Sequence, residues 1–158
     1  MIDQGATSFW EGYDPSWYKQ DFHASLQADG TSGYQASLAH GWSSGVTPWI
    51  MEQILGIQPR AAGFSEVDIR PDLLGLEWAQ GGEPTPRGVL KVDIRKDNGF
   101  KTAIDLPPAT IARVSLPISA PGQAITVNGA KQASEAAEDG TRAIVVLKDP
   151  GHFELLSH

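Results

Sequence analysis

The first 57 residues hold the side chains with which proteins handle sugars and protons: Trp10-Glu11, Tyr13-Asp14, Trp17-Tyr18, Asp21-Phe22-His23, Asp29, Tyr34, His40 and Trp42. Aromatic faces cover the apolar C–H patches of a sugar ring, while carboxylates and imidazoles bond to its hydroxyls. A carboxylate held between aromatic rings, as Glu11 would be between Trp10 and Tyr13, loses hydration; its pKa rises unless hydrogen bonds oppose the shift, and it becomes a candidate general base. Glycoside hydrolysis uses two carboxyl groups across the scissile bond, roughly 6.5–9.5 Å apart in inverting enzymes so that a water fits between them. Asp14 and Asp29 stand nearby without an apolar setting, so the proton donor is expected elsewhere. The plain alternative for the same residues is aromatic core packing with solvated acids.

Two other chemistries compete. Gly41-Trp42-Ser43-Ser44-Gly45 has the G-x-S-x-G spacing of a nucleophile elbow, with Asp149 and His152 following in the required order. That elbow demands a buried strand before it and a helix after it within a parallel sheet, whereas Ser37-Leu38-Ala39-His40 is a poor strand. His23 and His40 with Glu11 or Asp14 show no close ligand spacing, so no metal and no cofactor is expected.

The elements that must position these residues differ between the two halves. Up to about residue 57 loops dominate, with a weak helix over 32–40 and a marked one near Trp49. Thr47 is placed to cap the marked helix, Pro48 to occupy its first position and Gly56 to end it in the left-handed region. Apolar residues fall on nearly every side of it, as in a helix buried among others, and its partners are not in this sequence. From Gly63 onward the pattern is short alternating runs between Gly, Pro and Asn, the signature of antiparallel strands. Strands are expected over 66–70, 76–81, 88–96, 100–106, 110–116, 124–127, 142–147 and 152–156. Turns are expected at Asp97-Asn98-Gly99, Val127-Asn128-Gly129 and Asp149-Pro150-Gly151. Gln132 to Gly140 reads as a connection or a short helix. The fold class is mainly β, an antiparallel β-sandwich after a short helical and loop segment.

Composition narrows the partners. The chain has 158 residues, enough for one core or a small domain with part of another. A net charge of −7 without any Lys/Arg run disfavours nucleic acid and anionic membrane surfaces. With no cysteine there are no disulfides and no thiolate chemistry. The sequence shows no export signal and no stretch of ~20 apolar residues, so it reads as soluble with its compartment open.

A family resemblance covers most of the chain. Thr7-Ser8-Phe9-Trp10-Glu11, Ser37-Leu38-Ala39-His40-Gly41-Trp42, Pro48-Trp49, Gly56-Ile57-Gln58-Pro59 and Val67-Asp68-Ile69-Arg70-Pro71 occur in the order found in glycoside hydrolase family 78, the α-L-rhamnosidases. The resemblance implies that residues 1–59 are the end of an (α/α)6 catalytic barrel and 60–158 the C-terminal β-sandwich. It implies that Glu11 is the general base of an inverting mechanism, with Trp10, His40 and Trp42 binding the sugar of a rhamnose-containing glycan. Residues 21–27 look like added text between Glu11 and His40, which bears on substrate preference. The general acid and the rest of the barrel would be supplied from outside this stretch, by the same or another chain, so the isolated chain is expected to be inactive. The alternative is a non-catalytic carbohydrate-binding or structural sandwich.

Overall fold

The computed structural model describes residues 6–11 and 39–157. The chain forms two compact units, Met1–Pro48 and Trp49–His158. Residues 32–38 of the weak helix expected over 32–40, and the candidate residues Tyr13, Asp14, Trp17, Tyr18, Asp21, His23, Asp29 and Tyr34, lie outside the described residues, while Ala39 and His40 at its expected end are not helical.

A 3-10 helix spans Gly41–Gly45 in the first unit, and α1, Val46–Gln53, follows it in sequence, with Trp49–Gln53 belonging to the second unit. Thr47 is therefore inside the helix rather than its cap: the preceding 3-10 turn already supplies the carbonyls that a capping hydroxyl would otherwise replace. The helix ends as expected. Ile54 and Leu55 N–H both donate to the Ile50 carbonyl, and Gly56 follows with φ 71°. Glycine is required here, because a Cβ would collide with the backbone of Arg70 and Pro71.

The second unit is a two-sheet sandwich. Its strands are β1 (Ile57–Pro59), β2 (Glu66–Ile69), β3 (Trp78–Thr85), β4 (Gly88–Lys96), β5 (Phe100–Leu106), β6 (Ile111–Pro117), β7 (Ile125–Val127), β8 (Ala130–Gln132), β9 (Glu135–Ala136), β10 (Arg142–Leu147) and β11 (Gly151–Ser157). One sheet has the order β1-β2-β6-β10-β9, the other β3-β4-β5-β11-β7-β8. Pairing is antiparallel except between β2 and β6, where Val67 faces Ala112 in parallel register. Residues 132–140, expected as a connection or helix, include the end of β8 and the short strand β9. A two-residue period has no length over which to show itself in strands this short.

The period-2 pattern builds the core. Leu90, Val92 and Ile94 of β4 point inward with Ile104 and Leu106 of β5 and Leu155 of β11. They meet Val67 and Ile69, Ala112, Val114 and Leu116, and Val145 and Leu147 from the other sheet, all with at most 5% exposure. Burial of these side chains contributes roughly 1.5–3 kcal/mol each for the larger ones, the main favourable term of the unit. Met51 and Leu55 lie over Gly81 of β3, where a Cβ would stand 2.6 Å from a Leu55 methyl. The missing side chain at Gly81 is what lets the end of α1 sit on the sandwich.

Candidate functional site

Of the expected site residues, Glu11, His40 and Trp42 come together within the first unit. Phe9 and His40 are joined by a backbone bond, the His40 N–H donating to the Phe9 carbonyl at 2.8 Å. This bond sets the Trp10-Glu11 segment beside the start of the 3-10 helix. His40 Nδ1 then lies 3.7 Å from Glu11 Oε2, with both side chains about one-third exposed, at 33% and 31%. The Trp42 indole N–H donates to the Glu11 backbone carbonyl at 3.3 Å. Its ring lies 4.5 Å from the imidazole, tilted by 48°. Trp10 is buried at 5% exposure, whereas Trp42 is 71% exposed. A carboxylate, an imidazole and an open indole face thus share one edge: an acceptor, a switchable donor and a platform for a sugar C–H face.

The competing serine chemistry is not assembled. Ser43 sits in a 3-10 helix rather than between a strand and a helix, and Ser44 donates its hydroxyl to the Gly41 carbonyl at 2.6 Å. His152 lies on β11, and its Nδ1 is 2.7 Å from Asp105 Oδ1. Among the described residues no group of three His, Asp or Glu could hold a metal ion. Among them too, no helix is long and apolar enough to cross a membrane.

Sequence reasoning did not find a hollow of about 940 Å³ on the outer face of the β1-β2-β6-β10-β9 sheet, walled by Trp49, Asp68, Arg70, Arg113 and Arg142. At its base Arg142 is 8% exposed. Its Nε donates to Ser115 Oγ at 3.2 Å and its Nη2 to the carbonyls of Pro71 and Ser115 at 2.8 and 2.6 Å. Burial lowers the pKa of this guanidinium, with Arg70 adding to the effect, while Asp72 and Asp139 oppose it. Such a fork is a tie within the sandwich, with three of its five N–H donors spent on one hydroxyl and two backbone carbonyls. Only the outward phase of β10 hinted at it: Arg142 and Ile144 alternate with the core residues Ala143 and Val145.

Comparison with known proteins places the chain in a family. Residues 56–131 match the bacterial α-L-rhamnosidase C-terminal domain. The chain is 30% identical over 141 residues to an α-L-rhamnosidase of Streptomyces avermitilis, an alignment covering 81% of this chain and 12% of that protein. It is 31% identical over 108 residues to an α-L-rhamnosidase of Alteromonas sp. (strain LOR), covering 67% of this chain and 11% of the relative. The chain therefore spans about one-eighth or less of these relatives' length. Among solved structures, that of the Streptomyces avermitilis α-L-rhamnosidase complexed with L-rhamnose superposes with TM-score 0.72 at 27% identity, over 99% of this chain and 14% of that one. The Dictyoglumus thermophilum α-L-rhamnosidase, at 18% identity and TM-score 0.71, covers 98% of this chain and 16% of its own and shares the fold.

Proposed function

Residues 56–131 make this chain a member of the α-L-rhamnosidase family through its C-terminal domain, and we propose that it serves an inverting glycosidase releasing terminal α-L-rhamnose. In this reading residues 1–59 complete a catalytic barrel and 60–158 form the sandwich that follows it. Glu11 is the general base that takes a proton from the attacking water. The general acid stands across the scissile bond on the part of the barrel outside this chain. His40 and Trp42 contact the sugar ring, and Trp10 backs the segment from its buried position. No cofactor enters the chemistry.

The observation that carries this reading is the approach of His40 Nδ1 to Glu11 Oε2 at 3.7 Å, between two motifs 29 positions apart. A hydroxyl bound between an imidazole and a carboxylate is oriented by both, and a water above the carboxylate is activated in the same place. Support also comes from the similarity to a rhamnosidase structure that holds L-rhamnose. One carboxylate is half of an inverting pair, so this chain alone should not turn over substrate.

The test is a chimera in which this chain replaces the matching segment of the Streptomyces avermitilis enzyme, assayed on a chromogenic α-L-rhamnoside. Turnover by the chimera, at least ~1,000-fold lower in Glu11→Gln, is expected for loss of a general base whose water is otherwise held in place. Turnover that survives Glu11→Gln, or turnover by the isolated chain, overturns the assignment.

A further inference from the structure

The outer face of the β3-β4-β5-β11 portion of the second sheet carries a constellation that the Glu11 segment does not use. Leu90, Val92 and Ile94 face the core, so alternation sends Lys91, Asp93 and Arg95 outward. Cross-strand register assembles them into three rungs. Trp78, Arg95 and Lys101 form the first, Asp93, Ala103 and Glu154 the second, and Lys91, Asp105 and His152 the third.

The relief of this face is uneven. Ala103 ends at its Cβ between the longer Asp93 and Glu154, so the middle rung dips at its centre. Two hollows of about 470 and 500 Å³ open there, each walled in part by Asp93 and Ala103. Both are of the size that encloses small ligands, roughly 300–1,000 Å³. Beside the trough Trp78 is 54% exposed, and Arg95 Cζ lies 5.8 Å from its ring centroid, a contact that restrains the indole.

Charge identifies the kind of ligand. Its cations are matched by neighbouring carboxylates, and the pairs are closed laterally: Arg95 to Asp93 at 3.1 Å, Lys101 to Asp97 at 3.0 Å, Lys91 to Asp105 at 3.8 Å and His152 to Asp105 at 2.7 Å. A face so balanced has little field to draw a phosphate or a polyanion. It offers instead a dense array of donors and acceptors held in orientation by one another, next to an aromatic plane. A neutral polyol ring with one apolar C–H face matches both features.

We propose that this face is a second, non-catalytic saccharide-binding surface, with Trp78 as its platform and the Asp93-Ala103-Glu154 rung as its trough. It goes beyond the rhamnosidase reading and needs neither Glu11 nor His40. The test is a titration of the isotopically labelled full chain, followed by nuclear magnetic resonance, with a neutral rhamnose-terminated oligosaccharide and separately with an oligogalacturonide of equal length. Saturable shifts at the Trp78 indole and at the Ala103 and Glu154 amides are expected, with Kd on the order of 1 mM for the neutral sugar and binding of the acidic one at least about tenfold weaker. Trp78→Ala removes the platform and Ala103→Arg fills the trough; each should weaken binding about tenfold or more, while Glu11→Gln leaves it unchanged. The proposal is overturned by absence of shifts on this face, by binding that survives either substitution in a folded variant, or by preference for the oligogalacturonide. Loss of chimera turnover in Glu11→Gln bears on the catalytic reading and does not move this result.

Discussion

Glu11 Oε2 and His40 Nδ1 stand 3.7 Å apart, and Trp42 links the two by bonding the Glu11 carbonyl through its N–H while its ring lies against the imidazole. A carboxylate in this arrangement is aimed by its neighbours, as the proposed general base needs to be. Trp42→Phe keeps the ring and deletes the 3.3 Å bond, so in the chimera it should lower kcat/KM about three- to tenfold, the worth of one neutral hydrogen bond. His40→Ala removes both the imidazole's contact with the carboxylate and the packing of Trp42, and should cost more than Trp42→Phe. Steady-state kinetics on the chromogenic rhamnoside check both, and an inverted order would detach His40 from the sugar.

Gly56 carries the junction between α1 and the sandwich. Its N–H and carbonyl environment brings the chain alongside residues 70–72, with Arg70 N–H donating to the Gly56 carbonyl at 2.9 Å and Asp72 N–H to that of Ile54 at 3.0 Å. Gly56→Ala meets both a positive φ and the Arg70 backbone and should destabilise the chain by about 2–5 kcal/mol. Gly122, with φ 79° and open space around it, is the control: there alanine should cost about 1 kcal/mol. Urea unfolding of the two variants measures the difference.

The sandwich was legible where strands are long enough to alternate. The bounds expected for β4, β5 and β10 are those observed, and Asn98 and Asn128 adopt the positive φ that their Asn-Gly turns require. The strand expected over 76–81 starts two residues later, at Trp78. The strand in fact continues to Thr85. It lies at the edge of its sheet, where Pro84 has no second neighbour to supply with an N–H. The parallel pairing of β2 with β6 was not legible, since no local pattern specifies a partner 45 positions away. The meeting of Glu11 and His40 has no periodicity either. It was reachable only through the family resemblance, and the Arg142 tie only from coordinates.

Arg142 offers a prediction about that tie. Three donors reach Ser115 Oγ and the Pro71 and Ser115 carbonyls from a largely buried guanidinium. Arg142→Ala leaves those acceptors unsatisfied and should destabilise by about 2–4 kcal/mol. Arg142→Lys keeps a positive charge without the planar fork and should recover less than half of the loss. Thermal and urea midpoints of the pair check this, and full rescue by lysine would show that charge rather than geometry holds the strands.

Asp139 predicts a local response to acid. The Thr141 N–H and hydroxyl donate to its Oδ1 at 3.0 and 2.8 Å. These two bonds hold its carboxyl below the ordinary aspartate value. A depressed carboxylate stabilises the folded turn above its unfolded pKa, and that contribution is lost as pH falls through the lower folded value. The Thr141 amide shift followed against pH should therefore titrate with a midpoint below that of an unstructured aspartate, and Asp139→Asn should flatten the curve. Because the group is fully exposed, the change should stay confined to the Asp139–Thr141 turn.

The outward face of α1 sets the behaviour of the chain in solution. Trp49 and Ile50, neighbours on the α1 surface within the second unit, are 50% and 41% exposed. The opposite side is the one that docks, through Met51 and Leu55 over Gly81. An apolar patch of this kind, left in water, gains by covering itself, and the ready partner in a pure sample is another copy of the same patch. The chain should therefore self-associate at micromolar concentration, more strongly in sulfate salts, which strengthen apolar burial. Trp49→Glu with Ile50→Lys should give a monomer by sedimentation velocity while shifting the unfolding midpoint little, because neither side chain is in the core. If association persists unchanged in the double variant, the patch is not its cause, and the exposed Trp78 face of the second sheet becomes the surface to substitute next.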